Sequence, residues 1–248
     1  MRHITRGIII REKAIFESDK VLEILTESFG VVTAFAKGAK KPKSKLRSGT
    51  ALFTYGEFTL YPTRDTYNLD ECAPVELFFN LRADFERLAL AQYFCEIFLW
   101  LAPEREHSPE HFELMTRAVH LLNKGEVAFE ILKAAVELRL LAISGYLPAV
   151  ERCAGCEGGE NLYKFAVSEG VCYCGGCAAG KNGIAFDGGA LQALRHVLYA
   201  DLKKIFGFNL GEKSLKQLSE IAEEFLLASA GRGFKSLEFI KGSADLNV

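Results

Sequence analysis

Residues 21–61 read VLEILTESFGVVTAFAKGAKKPKSKLRSGTALFTYGEFTLY, and this stretch decides the fold of the N-terminal part of the chain. Short runs rich in Val, Ile, Thr, Phe and Tyr alternate with breaks such as Phe29-Gly30, a pattern typical of strands joined by tight turns. Similar runs lie on either side of the stretch. The predicted strands cover residues 8–12, 21–28, 31–37, 51–61 and 66–78.

Five short strands within some 80 residues predict a small closed barrel, because closure removes the exposed edges of a sheet. The number of strands and the length of the segment favour a barrel of the oligonucleotide/oligosaccharide-binding (OB) type. An SH3-like barrel is the competing interpretation. We therefore expect residues 1–80 to form an OB-type domain.

From residue 81 onward the spacing of apolar residues becomes helical. Capping signals bound several of these segments, such as Ser108-Pro109-Glu110 at one start and Gly145 at one end. The sequence thus predicts an α+β protein in which residues 81–248 form a helical domain, interrupted by a loop-rich, cysteine-rich segment at about 150–183. The predicted helices cover residues 81–102, 109–123, 126–144, 187–206 and 212–228.

Residues 36–49, AKGAKKPKSKLRSG, interrupt the strand pattern with six cations and no acid, and we call this segment the basic loop. The whole chain of 248 residues is nearly neutral, with 30 Lys and Arg against 32 Asp and Glu. Positive charge is therefore concentrated at one place, which bears on binding partners more than the net charge does. The cations are Lys37, Lys40, Lys41, Lys43, Lys45 and Arg47.

A run of cations is most often a solvated surface, but the setting of the basic loop favours a nucleic-acid interface. Its cations repel one another unless a polyanion is near, and it lies between two strands of a barrel type that binds oligonucleotides. Gly38, Pro42 and Ser44 predict an extended, irregular course that would spread the cations along a phosphate backbone. Aromatic residues on which bases can stack flank the loop. They are Phe35, Phe53, Tyr55, Tyr61 and Tyr67.

Two Cys-x-x-Cys motifs, CAGC at 153–156 and CGGC at 174–177, are separated by 17 residues, which lies within the range of four-cysteine zinc sites. Glycines inside both motifs allow the backbone to turn and aim two sulfur atoms at one ion. Four thiolates complete a tetrahedral shell and leave no position for water, so we predict one structural Zn²⁺ ion. The predicted ligands are Cys153, Cys156, Cys174 and Cys177.

Cys172 is a rival ligand because it lies two residues before Cys174. The spacing of the first motif favours Cys174, and the choice between the two stays open at this point. A redox-active dithiol is the alternative to zinc for both motifs. Cys72 and Cys95 lie in apolar surroundings and are predicted to be core residues.

Several classes of protein are excluded by what the sequence contains. The start, MRHITRGIII, has too short an apolar run for a secretory signal. The most apolar stretch, residues 88–102, is shorter than the roughly 20 residues of a membrane span. GGCAAGKN at 175–182 ends in Asn where a phosphate-binding loop needs Ser or Thr. We therefore expect a cytoplasmic protein that is not an enzyme, with no membrane and no small-molecule substrate.

The order of these parts resembles the RecO family of bacterial recombination mediators over essentially the whole chain. The resemblance is carried by GAKKPKSKLRSG, by ELRLLAISGYLP, by the paired Cys-x-x-Cys motifs and by GFKSLEF near the end. It implies a non-enzymatic protein of DNA repair and recombination, nucleoid-associated during repair, with the basic loop as its DNA-binding surface. Cys172 departs from the family pattern and leaves the ligand assignment in doubt.

The resemblance also implies a set of partners. Such proteins bind single- and double-stranded DNA, anneal complementary strands, engage RecR, and help RecA replace the single-stranded-DNA-binding protein. Contact with the acidic tail of that protein would need a basic rim, for which the helical domain offers Arg139, Arg195, Lys203 and Lys204. A zinc-containing RNA-binding or translation-associated factor and a thiol oxidoreductase are the alternative functions.

Overall fold

The computed structural model describes residues 2–244 and begins with a closed barrel of five strands in the order β1-β2-β3-β5-β4. The strands are β1 (His3–Ile15), β2 (Asp19–Thr26), β3 (Gly30–Ala36), β4 (Tyr55–Pro62) and β5 (Tyr67–Glu76). β3 and β5 pair in parallel, while the other neighbours are antiparallel. This five-stranded closure has the form of an OB-type barrel, so the predicted fold class is confirmed.

Alternation of apolar and polar residues places one face of each strand inside the barrel. Leu22, Ile24 and Phe58 are fully buried there. Gly7 faces the same interior, where an added Cβ would lie 2.8 Å from Ile24. Residues 51–54, which the sequence predicts as the start of the fourth strand, instead form turns, and Phe53 adopts a left-handed φ of 65°.

The chain divides into two compact units, one of residues 1–124 and 236–248 and the other of residues 125–235. In the first unit the barrel is followed by α1 (Phe79–Ala83), α2 (Phe85–Leu101) and α3 (Pro109–Lys124). The side chain of Asp84 caps α2 by accepting a hydrogen bond from the Arg87 backbone N–H. The boundary near residue 80 stays a prediction about the functional division of the chain.

Residues 88–101 of the apolar stretch lie within α2, and Ala102 is its C-cap. Tyr93, Phe94 and Phe98 are fully buried there. It is a core helix, as its length predicts. Among residues 2–244, no helix is both long and apolar enough to cross a membrane.

The second unit combines helices with a small sheet. Its elements are α4 (Phe129–Ile143), β6 (Ala149–Cys153), β7 (Leu162–Ala166), β8 (Val171–Cys174), β9 (Ile184–Ala185), α5 (Gly188–Tyr199) and α6 (Glu212–Ala230). A final helix, α7 (Lys235–Ala244), follows, and from Ser236 onward it belongs to the first unit. The cysteine-rich segment, predicted as loops, contains a sheet in the order β6-β8-β7-β9. The fourth predicted helix ends early, because Ala200 has an extended conformation.

A buried ion cluster joins α4 to α6 in this unit. The Lys133 ammonium lies 2.8 Å from carboxylate oxygens of both Glu137 and Glu223, and Glu137 is fully buried. Burial by itself lowers the pKa of Lys133, but the two carboxylates outweigh it and raise the pKa above its ordinary 10.5. Lys133 is therefore charged at neutral pH.

We expect Lys133→Met to destabilise the second unit by about 3–5 kcal/mol at pH 7, because it leaves a buried carboxylate without its counter-ion. A matched control is Lys216→Met at an exposed position of α6, which should change stability by less than about 0.5 kcal/mol. Denaturant unfolding of both variants measures this difference.

The pH dependence of this difference follows from the raised pKa of Lys133. A group whose pKa is raised on folding stabilises the fold at pH values below its unfolded-state pKa. That contribution is lost as the pH rises through its folded-state pKa. The difference in unfolding free energy between the wild type and Lys133→Met should therefore be constant near neutrality. It should become smaller only at strongly alkaline pH. A gap that closes near pH 7 would contradict the assignment of the charged cluster.

Candidate nucleic-acid interface and metal centre

The basic loop is folded into consecutive turns rather than extended. Backbone hydrogen bonds run from Lys41 N–H to the Gly38 carbonyl (3.0 Å) and from Ser44 N–H to the Lys41 carbonyl (3.0 Å). A third runs from Arg47 N–H to the Ser44 carbonyl at 3.3 Å. Gly38 has a φ of 66°, which a glycine adopts at no steric cost. The extended course expected from Gly38, Pro42 and Ser44 is therefore wrong, since these residues form turns.

Apolar residues within the loop fasten it to the barrel. Ala39 and Leu46 belong to the barrel core and are 1% and 7% exposed. The Thr50 hydroxyl, which is buried, donates to the Leu46 carbonyl at 2.8 Å. At Gly49 an added Cβ would lie 2.7 Å from the Cys72 sulfur, so the returning chain lies directly against β5. The loop therefore covers one end of the barrel.

All six cations of the basic loop point into solvent. Within residues 2–244 none of their side chains forms a hydrogen bond or an ion pair. The loop buries Ala39 and Leu46 and exposes its cations around them. Such a surface can neutralise several phosphates at once.

Asp19 lies outside the loop and holds the start of it in place, and no sequence pattern singled this residue out. The Asp19 carboxylate accepts a hydrogen bond from the Gly38 N–H at 2.7 Å. That bond first, then the Ser18 hydroxyl and the nearby charges of Lys41 and Lys37, lower the pKa of Asp19 below its ordinary value. Asp19 therefore stays ionised beside the cations and partly compensates them.

Lys20 forms a second attachment between the β1–β2 hairpin and the basic loop. Its ammonium donates to the Glu12 carboxylate and to the Thr50 carbonyl, each at 2.7 Å. The β1–β2 hairpin and the end of the basic loop are therefore tied together by one side chain. A further backbone bond joins Lys40 N–H to the Ser18 carbonyl at 2.9 Å, so hairpin and loop form one surface.

The aromatic residues predicted to flank the loop mostly serve the barrel instead. Phe53 and Tyr67 are buried, and Phe35 and Tyr55 are half-buried. Tyr61 is 42% exposed but lies near the far end of β4 from the loop. The turn bonded to the loop carries an exposed ring, Phe16, which the sequence prediction missed. A Phe within the turn segment IFESD was the available signal.

The two Cys-x-x-Cys motifs meet at one point. The sulfur atoms of Cys153, Cys156, Cys174 and Cys177 all lie within 4.8 Å of one another, and Cys172 is not part of this group. The sulfur atoms of Cys156 and Cys174 are 3.8 Å apart. This is close to the roughly 3.8 Å expected between sulfur atoms in a tetrahedral shell with metal–sulfur bonds of about 2.3 Å. The cluster is therefore compatible with a metal ion.

Backbone N–H groups stabilise the anionic form of one sulfur atom in this cluster. The N–H of Cys174 donates to the Cys153 sulfur at 3.2 Å, and the N–H of Gly155 does so at 3.4 Å. These bonds, that of Cys174 first, lower the pKa of Cys153 to about 6. Hydrogen bonds to Cys174, Cys153 and Cys156 raise the pKa of Cys177 to about 12. One of these thiols ionises readily, but four adjacent thiolates need a nearby cation to stabilise them. A metal ion would supply that positive charge.

The glycines of the two motifs are not equivalent. A Cβ on Gly155 would lie 2.9 Å from both the Cβ and the sulfur of Cys177, whereas one on Gly175 or Gly176 would meet nothing within 4 Å. Cys172 lies outside the group of four sulfur atoms, and it is fully buried. Burial raises its pKa to about 12. Its surroundings therefore favour a neutral core thiol.

Two residues proposed for a basic rim have structural partners. The Arg139 guanidinium donates to the carbonyls of Val197 and Leu198 at the end of α5, and Arg195 donates to the Val150 and Glu151 carbonyls at 3.0 Å. Lys203 and Lys204 are exposed. Those two lysines are the available cations among the four residues singled out.

Comparison with known proteins follows the two parts of the chain. The family description Recombination protein O N terminal matches residues 1–78, and Recombination protein O C terminal matches residues 82–238.

Relatives named DNA repair protein RecO align over nearly the whole chain. The protein from Acetivibrio thermocellus is 29% identical over 240 residues, covering 96% of this chain and 95% of that protein. The protein from Alkaliphilus metalliredigens is 30% identical over 240 residues, covering 96% and 98%. The protein from Clostridium perfringens is 32% identical over 239 residues, covering 95% and 96%. With the barrel, the clustered cysteines and both family matches in agreement, the chain belongs to the RecO family of DNA repair proteins.

Proposed function

We propose that this chain is a recombination mediator that binds single- and double-stranded DNA and anneals complementary strands. The observation that carries the proposal is the outer surface of the basic loop, where six cations are exposed on a folded and anchored scaffold. DNA is the polyanion that such a surface fits in a member of a DNA repair family. The residues proposed to contact it are Lys37, Lys40, Lys41, Lys43, Lys45 and Arg47.

The physics of annealing agrees with this surface. Two complementary strands repel each other, and cations that take the place of condensed counterions lower that barrier. Contacts to phosphates position a strand without reading its sequence. A loop that offers many cations and no catalytic group therefore promotes pairing without a chemical step, and we propose that the protein is not an enzyme.

The proposed partners follow from membership of the family and not from a contact on these units. With RecR, the protein would help to load RecA onto DNA coated by the single-stranded-DNA-binding protein, working in the cytoplasm and at the nucleoid during repair. Residues 1–80 are proposed as the DNA-binding domain and 81–248 as the helical domain. Lys203 and Lys204 are the candidates for an acidic partner segment, because Arg139 and Arg195 hold backbone carbonyls.

The proposed cofactor is one structural Zn²⁺ ion per chain, bound by Cys153, Cys156, Cys174 and Cys177. Two observations support it: the four sulfur atoms lie within 4.8 Å of one another, and backbone N–H groups support anionic sulfur at Cys153. An all-thiolate site of this kind suits zinc and leaves no ligand position open for catalysis. The ion would hold the β6–β9 sheet of the second unit together.

The first test of this proposal is a salt titration of DNA binding. If all six cations contact single-stranded DNA, the log–log slope of affinity against salt should approach roughly −4, at about 0.7 per neutralised phosphate. Replacing Lys40, Lys41 and Lys43 by Ala should flatten that slope by roughly 2, lower affinity for any base composition, and slow annealing in parallel.

The control has the same change of charge elsewhere. Lys203, Lys204 and Lys216 are exposed lysines of the second unit, and their replacement by Ala should leave the slope unchanged. Thermal melts of both triple variants should match the wild type, because exposed lysines contribute little to folding. An unchanged slope in a folded Lys40/Lys41/Lys43 variant would show that the loop is an ordinary solvated surface and not a DNA-binding site.

The second test is metal analysis of the purified protein. Cys153→Ser should lose the zinc and destabilise the second unit, because thiolate ligation is coupled to local folding. Cys172→Ser should retain one zinc per chain, since that thiol lies in the core and outside the cluster. Loss of zinc from Cys172→Ser with retention in Cys174→Ser would overturn the ligand set.

A glycine pair gives an independent check on the same centre. Gly155→Ala should weaken metal retention against a chelator, because the new Cβ would be 2.9 Å from the Cys177 sulfur. Gly176→Ala has open space around it and should behave as the wild type. Equal retention in the two variants would show that the cluster does not close as tightly as described.

A further inference from the structure

The side chain of Phe16 lies outside the barrel core. It is 86% exposed, more than any other large apolar side chain among residues 2–244. The residue has a φ of 51°, a left-handed conformation that favours Gly or Asn and is uncommon for a bulky residue. Phe53 and Phe78 also have a left-handed φ, but both are buried. Exposure therefore distinguishes Phe16, whose side chain is available to a ligand.

The position of Phe16 defines the ligand. The turn that carries it is bonded to the basic loop through Ser18 and Lys40 at 2.9 Å, and through Asp19 and Gly38 at 2.7 Å. The turn that carries the ring and the loop that carries the cations are therefore held together by hydrogen bonds. A cluster of cations together with an exposed aromatic ring is typical of surfaces that bind single-stranded nucleic acid, because cations contact the phosphates and a base stacks on the ring.

We propose that Phe16 stacks on an unpaired base of a strand whose phosphates lie along the basic loop, and that it makes this surface prefer single-stranded over duplex DNA. Bases inside a duplex are already paired and stacked, so they offer no free face to the ring. Cations bind the phosphates of either form. Preference for single strands therefore rests on the ring, and this inference depends on the DNA binding proposed above.

The test compares three probes on the full chain: an oligothymidylate, an abasic oligonucleotide of the same length and charge, and a duplex. Phe16→Ala should lower affinity for the oligothymidylate by roughly 5- to 100-fold, the range for loss of one stacking aromatic residue. Affinity for the abasic strand and the duplex should stay within about twofold, because the phosphates and the loop cations are unchanged. Phe16→Trp should restore the preference and show fluorescence quenching by the base.

Tyr61→Ala is the matched control, since Tyr61 is an exposed aromatic residue on the barrel but lies near the end of β4 away from the loop. It should leave all three affinities unchanged. Equal loss on all three probes in Phe16→Ala, or no loss on any, would overturn the stacking role while leaving DNA binding by the basic loop intact. Failure of the wild type to bind any of the three probes would overturn the proposed function itself, and the stacking role with it.

Discussion

The attachment of the basic loop to the barrel beneath it is the constraint on which the proposed DNA surface depends. Two unit charges about 8 Å apart in water repel by about 0.5 kcal/mol, and six cations within eleven residues would open a free loop into many conformations. Burial of Leu46 in the barrel core contributes about 1.5–3 kcal/mol. The hydrogen bonds from Gly38 to Asp19 and from Lys20 to Thr50 add to it at both ends. These anchors oppose the repulsion and hold the loop against the barrel.

The cysteine cluster solves a related problem of like charge by other means. Backbone N–H groups support one thiolate at Cys153, but the neighbouring sulfur atoms oppose further ionisation at Cys177. A divalent cation removes that opposition, so the four sulfur atoms and the ion stabilise each other. Like charge is concentrated in both places, and an opposite charge from outside would relieve it. The proposed sources of that charge are a phosphate backbone for the loop and a metal ion for the cluster.

Patterns with a short period predicted the fold from sequence. Alternating apolar residues gave the barrel strands, and the Cys-x-x-Cys spacing gave the four sulfur atoms that meet. Contacts between distant segments were not predictable in this way. The pairing of Asp19 with Gly38 depends on how the hairpin and the loop meet in space, and the same holds for the binding of backbone carbonyls by Arg139. Gly38, Pro42 and Ser44 suit turns as well as an extended course, and only the burial of Ala39 and Leu46 decides between them.

Annealing places two demands on one surface, and charge alone meets only the first. In the proposed reaction the cations would gather both strands, but they would also hold the duplex product, whose phosphates are at least as densely spaced. A ring that stacks on unpaired bases adds affinity only before pairing. The bases would leave the ring at Phe16 once two strands pair, so the ring would contribute nothing to holding the duplex. Because this preference also favours the separate strands, the ring would ease release of the product but would not itself drive pairing.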